Sequence, residues 1–153
     1  MQCISATLLF MKKLTIKELE ELLHIANLRV TEHRLAVLKA VASSKSAITV
    51  QVLFDTLRDK YMIDQATVYR NLASLHEARI LRRYDFNHGH AHYELETGEP
   101  SHQLVCSKCE TIEKIEGVNI DDIVKKMIKK SSKFKKTTTH TIEIYGLCKK
   151  CSV

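Results

Sequence analysis

Two cysteine pairs carry the sharpest chemical signal in this chain. Cys106-Ser-Lys-Cys109 and Cys148-Lys-Lys-Cys151 are C-x-x-C knuckles separated by 38 residues. Four thiolates enclose Zn²⁺ tetrahedrally at about 2.3 Å, and each knuckle can supply two of them. A redox pair would instead need a low-pKa cysteine at a helix N-terminus. Here Cys106 follows the strand-like HQLV, and Cys109 precedes the strand-like ETIEKIE. The pattern predicts a structural zinc site of Cys106, Cys109, Cys148 and Cys151 that clips the last residues to the middle of a sheet. Cys3, the fifth cysteine, has no partner motif.

A second set of ligand-type residues lies in NHGHAHYELE. Side chains on a strand repeat every two residues, so His90, His92 and Glu94 would share one face. That face is a candidate regulatory metal site; its alternative is an exposed polar strand edge. Histidine with carboxylate suits Zn²⁺, Fe²⁺, Mn²⁺ and Ni²⁺ alike. No Ser/His/Asp set, phosphate loop or paired catalytic carboxylates occurs, so neither an enzyme nor a small organic substrate is expected.

The elements that would position these residues follow from hydrophobic spacing. LTIKELEELLHIANLRV opens with Thr15 and Glu18 as a capping box, then Leu19, Leu22, Leu23 and Ala26 at helical spacing. A second helix starts at Thr31 and buries Leu35, Leu38 and Val41 or their neighbours. A third runs from near Thr49 to about Tyr61 with Val52, Leu53 and Leu57 inward. A fourth follows Asp64, a predicted N-cap. The period then changes to two: ILRRYDF and AHYELE read as strands around the turn NHG. Helices followed by a β-hairpin make a winged-helix arrangement. Beyond it, SHQLVCSKC and ETIEKIE read as strands. NIDDIVKKMIKKSSKF reads as a helix capped by Asn119, with Ile120, Ile123, Val124, Met127 and Ile128 in one stripe. TTTHTIEIYG reads as a strand leading to the closing knuckle.

The predicted class is therefore α+β. An N-terminal winged-helix domain occupies residues 1–96, and a small C-terminal α/β domain with the four-cysteine zinc site occupies 97–153. Thr97 to Pro100, holding the sole proline, is the expected linker. Met11 is an alternative start, which would make residues 1–10 an extension. A domain of about 50 residues is small enough to need a metal staple or a partner.

Charge constrains the function. The 153 residues carry 24 Lys and Arg against 18 Asp and Glu, a net +6. Residues 1–100 hold 13 basic and 12 acidic side chains, so polyanion binding there must come from local placement. The seven lysines between Lys125 and Lys136 read as a solvated helix face. No run of about 20 apolar residues exists to cross a membrane, and the opening residues lack the pattern of a signal peptide. A cytoplasmic location is expected. Within QATVYRNLASLHEARIL, Val68, Leu72 and Leu75 share a narrow sector. Arg70 then points away from it between Ala66 and Ala73, with Tyr69 to one side. Small residues around an arginine let a helix sit deep in a major groove, where arginine pairs with guanine and an aromatic packs on a thymine methyl. Arg82 and Arg83 in the hairpin would grip adjacent phosphate.

With RVTEHRLAVLKAV, ATVYRNLASLHEARIL, HYELE, HQLVCSKC and EIYGLCKKC in this order, the chain resembles the ferric uptake regulator (Fur) family from about residue 14 to 153. The resemblance implies a homodimeric, cytoplasmic DNA-binding repressor with a dimerisation domain and metal-promoted binding to a double-stranded operator. Matching positions point to Arg34, Tyr69 and Arg70 as DNA contacts and Thr67 as a backbone contact. They also point to His102, Asp121 and His140 as a regulatory site in the dimer domain, with Glu99 or water as a fourth ligand. The family's hinge site departs here. Ser101 and Gln103 replace two histidines, a third is replaced near Ala47, and Lys114 aligns with a carboxylate, so Glu94 alone remains of that set. Structural Zn²⁺ and a second divalent ion (Zn²⁺, Fe²⁺ or Mn²⁺) are the implied cofactors. Two other readings stay open: a metal-insensitive regulator with structural zinc alone, and a zinc-stapled thiol-redox or interaction module.

Overall fold

The structure, a computed structural model, describes residues 14–86, 89–96, 101–138 and 142–152. The chain divides into two compact units, Met1–Glu99 and Pro100–Val153.

In the first unit, four helices precede a three-stranded sheet. Helix α1, Ile16–Ile25, starts at the predicted capping box: Glu18 N–H donates to the Thr15 hydroxyl, and the Glu18 carboxylate accepts the Thr15 N–H at 2.6 Å. Such a cap is worth about 1 kcal/mol. Helix α2, Glu32–Ser43, is capped by Thr31. A two-residue strand β1, Ile48–Thr49, runs directly into α3, Val50–Tyr61, whose cap is Thr49. Helix α4, Gln65–Glu77, is capped by Asp64 as predicted. It ends at left-handed Arg79, with the Ile80 N–H bonded to the Leu75 carbonyl at 2.9 Å. This Schellman turn aims the chain into β2, Leu81–Asp85. Strand β3, Ala91–Leu95, pairs antiparallel with both β2 and β1, giving the order β1-β3-β2.

The core of this unit is aliphatic: Leu23, Val37, Leu38, Leu53, Leu72 and Leu75 are fully buried. One expectation is corrected. Val52 does not face inward and is 50% exposed, because Val50, Leu53 and Leu57 form the buried stripe of α3 and Val52 falls one residue off it. On α2, Leu38 and Val41 are buried together with their neighbours Ala36 and Val37, and Leu35 packs against that core. Strand β1 was not foreseen, since two residues are too few to display a period.

The second unit is a three-stranded sheet, order β5-β4-β6, with one helix. Strand β4, Ser101–Cys106, pairs antiparallel with β5, Ile112–Glu116, and parallel with β6, Glu143–Gly146. Helix α5, Asp121–Lys129, is shorter than expected. Its cap position is Ile120 rather than Asn119, although the Asn119 side chain accepts the Asp121 N–H at 2.8 Å. Beyond it the Ser131 hydroxyl takes the N–H groups of Lys133 and Phe134, a local turn that competes with helix. The α5 stripe is largely uncovered: Ile123 and Met127 are exposed. No helix among the described residues is long and apolar enough to cross a membrane.

Removing the Leu72 side chain beyond Cβ (Leu72→Ala) should cost about 2–5 kcal/mol of stability. Val52→Ala, at an exposed position, should change it by less than about 0.5 kcal/mol. Urea denaturation followed by circular dichroism checks both, and equal costs would contradict the packing of α3 and α4.

Candidate metal centre and nucleic-acid interface

The four knuckle cysteines converge. Their sulfurs all lie within 4.8 Å of one another, and all four are thiols rather than disulfides. Cys109 Sγ and Cys148 Sγ are 3.6 Å apart. Tetrahedral ligation with bonds of about 2.3 Å places sulfurs about 3.8 Å apart, so the cage fits Zn²⁺. Backbone builds the cage. Cys106 ends β4, and a tight turn with left-handed Glu110 brings the chain back so that the Cys106 N–H reaches the Thr111 carbonyl at 2.9 Å. The second knuckle follows β6, which lies beside β4, and the Ser107 N–H bonds the Gly146 carbonyl at 2.8 Å.

The sulfurs are prepared for anionic ligation. The Cys148 N–H donates to Cys106 Sγ at 3.4 Å. That bond, with the Cys109 and Lys108 amides, holds the Cys106 thiol down to about 6. The Thr111 hydroxyl and amide lower Cys109, with the hydroxyl 3.2 Å from the sulfur. Cys151 is pushed up to about 12, first by its contact with Cys109 and then by Cys148, because a crowded set of sulfurs without a cation retains a proton. Thr111 was not singled out from sequence; its place two residues after a ligand was the available signal.

The hinge-side trio behaves otherwise. The His90 and His92 rings meet in a tilted contact with centroids 4.9 Å apart, and His92 is buried against Phe86 at 5.1 Å. Glu94 is buried and accepts the Tyr84 hydroxyl at 2.6 Å. Burial, then that carboxylate bond, raises the Tyr84 phenol, so Tyr84 remains the donor. Among the described residues, the four-cysteine set is the sole group of three or more His, Cys, Asp or Glu whose ligand atoms come together. His90, His92 and Glu94 share the β3 face that their spacing predicts, with Phe86 and Tyr84 as the neighbours described there.

In the second unit, His102 is buried on β4 with Nε2 3.0 Å from the Val118 carbonyl. Its Nδ1 has no hydrogen-bond partner among the described residues. Asp121 is exposed at the start of α5. His140 and Glu99 lie outside the described residues. Gln103, on the central strand, is fully buried.

On α4, Tyr69 (54% exposed) and Arg70 stand clear of the buried stripe of Val68, Leu72 and Leu75. Arg70 is braced: its Nη2 donates to the Thr67 hydroxyl at 2.8 Å, and that hydroxyl donates to Asp64 at 2.9 Å. The Thr67 N–H and hydroxyl, with Arg70 also contributing, hold the Asp64 carboxyl below its usual value. Thr67 thus engages both Asp64 and Arg70 within the first turns of α4. Arg34, on the first turn of α2, donates to the Arg29 carbonyl at 2.6 Å. The hairpin arginines are also engaged. Arg82 forms a two-pronged pair with Glu96, Nε to Oε2 at 2.9 Å, and Arg83 meets Asp85 at 2.9 Å. The Arg82 pair spans the hairpin, whereas Arg83 and Asp85 lie two residues apart on β2.

Residues 25–145 match the model of the ferric uptake regulator family. The chain is 32% identical over 131 residues to a ferric uptake regulation protein of Legionella pneumophila, covering 82% of this chain and 93% of that one. It is 30% identical over 138 residues to the peroxide-responsive repressor PerR of Staphylococcus epidermidis, covering 88% and 90%. Among solved structures, the ferric uptake regulator of Vibrio cholerae superposes with a TM-score of 0.72 at 30% identity, covering 84% of this chain and 98% of that one. The chain belongs to the ferric uptake regulator family, whose members are metal-responsive transcription regulators and not enzymes.

Proposed function

We propose that the chain is a homodimeric repressor acting in the cytoplasm, which reads an operator with α4 and is held in shape by Zn²⁺ on Cys106, Cys109, Cys148 and Cys151. The observation that carries this reading is the outward face of α4, where Tyr69 and braced Arg70 stand opposite the buried stripe. The Vibrio cholerae relative is described by its DNA-binding domains, and the Staphylococcus relative is a repressor. Zinc adds charge and rigidity where the small unit needs them. Uncovered Ile123, Met127, Ile144 and Leu147 in the second unit support a partner copy, since exposed apolar groups at this density mark interfaces.

The regulatory ion is proposed at His102, Asp121 and His140. The Val118 carbonyl holds the Nε2 proton of His102, which leaves the Nδ1 lone pair as the ligand. A second divalent ion there, Zn²⁺, Fe²⁺ or Mn²⁺, must favour the DNA-competent conformer over the other, or it shifts nothing. The metal-insensitive reading is favoured by a separate observation. Ser101 and Gln103 stand at the hinge positions and Glu94 is engaged by Tyr84, so the hinge set has no convergent ligands. Family membership removes the redox or interaction module.

Arg70→Ala should cost about 1–3 kcal/mol of operator binding and relax preference at one base pair; fluorescence anisotropy showing unchanged affinity and preference would contradict the α4 reading. Zinc binding to the metal-free protein should release protons at neutral pH, and zinc affinity should fall more steeply with acidification once pH drops below the Cys106 value of about 6. The sign follows because the lowered thiol is already anionic above that pH while Cys151 must still give up its proton. Calorimetry in buffers of different ionisation enthalpy reads this; no proton release would count against thiolate ligation. Native mass spectrometry should give a dimer with two ions per subunit, falling to one in His102→Ala. One ion per subunit in the parent protein would instead favour the metal-insensitive regulator.

A further inference from the structure

The first turn of α4 carries a polar relay that the proposed function does not use. Gln65 is the first residue of α4 and is exposed. Its Nε2 donates to Gln51 Oε1 at 3.2 Å, and Gln51 Nε2 donates to Asp55 Oδ2 at 3.0 Å. Gln51 and Asp55 lie one turn apart on α3, both exposed. The relay has a fixed direction. An ionised carboxylate only accepts hydrogen bonds, so Asp55 takes the NH₂ side of the Gln51 amide. The Gln51 carbonyl must then face Gln65, and Gln65 must answer with its own NH₂.

That direction determines what Gln65 presents outward. One of its two N–H groups goes to Gln51, leaving one N–H donor and the Oε1 acceptor side by side. Neither is engaged by another described residue. Adenine offers the complementary pair in the major groove, an N7 acceptor and an N6–H donor, whereas guanine offers two acceptors. Residues at the N-terminus of a recognition helix are the ones that reach base edges. There is also space for a base. An open recess of about 660 Å³ lies between the starts of α3 and α4 and the hairpin, bordered by Gln51, Gln65, Tyr69, Arg83 and His90.

We propose that Gln65 reads an adenine edge in the operator, and that Asp55, acting through Gln51, is the positioning residue that sets its preference for adenine over guanine. This rests on the reading of α4 as the groove-entering helix. Gln65 precedes Arg70 by five residues, about 7.5 Å of helix rise. The adenine therefore falls within about two base-pair steps of the base read by Arg70.

The test uses the full chain loaded with Zn²⁺ and a randomised duplex library, comparing the parent protein with Gln65→Ala, Asp55→Asn and Arg70→Ala. All four substituted or relay side chains are exposed, so folding is checked by matching melting curves. The parent should enrich a motif with an adenine that Gln65→Ala no longer selects, with discrimination there falling roughly tenfold. Asp55→Asn should lose adenine-over-guanine selection at the same position while keeping overall affinity. Replacing that adenine by 7-deazaadenine, which keeps pairing but removes N7, should weaken the parent roughly tenfold and Gln65→Ala hardly at all. An unchanged motif in Gln65→Ala, alongside a relaxed motif in Arg70→Ala, overturns the inference and leaves the α4 reading standing. A parent protein that enriches no motif overturns both.

Discussion

Convergence of four sulfurs is the constraint on which the second unit depends. Few of its described side chains are buried: Val105, Cys106, Ile120 and the polar His102 and Gln103. Apolar area alone does not stabilise so small a unit against the entropy of ordering it. Strand β6 contributes four residues, joined to β4 by a short parallel ladder. The two knuckles follow these neighbouring parallel strands, so one ion would replace missing core by tying both strands together at one end of that ladder. Amide and hydroxyl donors aimed at Cys106 and Cys109 lower both thiols and so ease the proton loss that ligation requires.

The first unit uses polarity differently. Its charge is nearly balanced, and several of its arginines are oriented by carbonyl, hydroxyl or carboxylate partners. Arg82 and Arg83 join carboxylates across and along the hairpin, whereas Arg70 is braced by Thr67 and Asp64 and stays on an exposed face. Holding an arginine in its reading rotamer reduces the side-chain entropy lost on binding. Such a surface gains selectivity from placement more than from bulk attraction, consistent with 13 basic and 12 acidic residues in the first 100.

Much of this was legible in the sequence because the signals were local. Thr15, Thr31, Thr49 and Asp64 each cap the helix that their spacing announced. The knuckle spacing carried the convergence of the four cysteines, since C-x-x-C turns form from adjacent residues. What escaped depended on partners distant in sequence. Arg82 with Glu96, and Tyr84 with Glu94, are made by cross-strand register, which hairpin motifs alone do not fix. Helix α5 was overextended because its lysine-rich continuation keeps helical composition while Ser131 diverts the backbone into a turn. The face shared by His90, His92 and Glu94 was legible as a period of two, whereas its packing on Phe86 and its bond to Tyr84 involve partners that the period does not name.

The zinc cage is most directly tested by X-ray absorption at the zinc edge on the purified full-length chain carrying one equivalent of the ion. Four sulfur neighbours at about 2.3 Å are predicted. A first shell of nitrogen and oxygen, or cysteines found joined as disulfides with no zinc retained, would contradict the account.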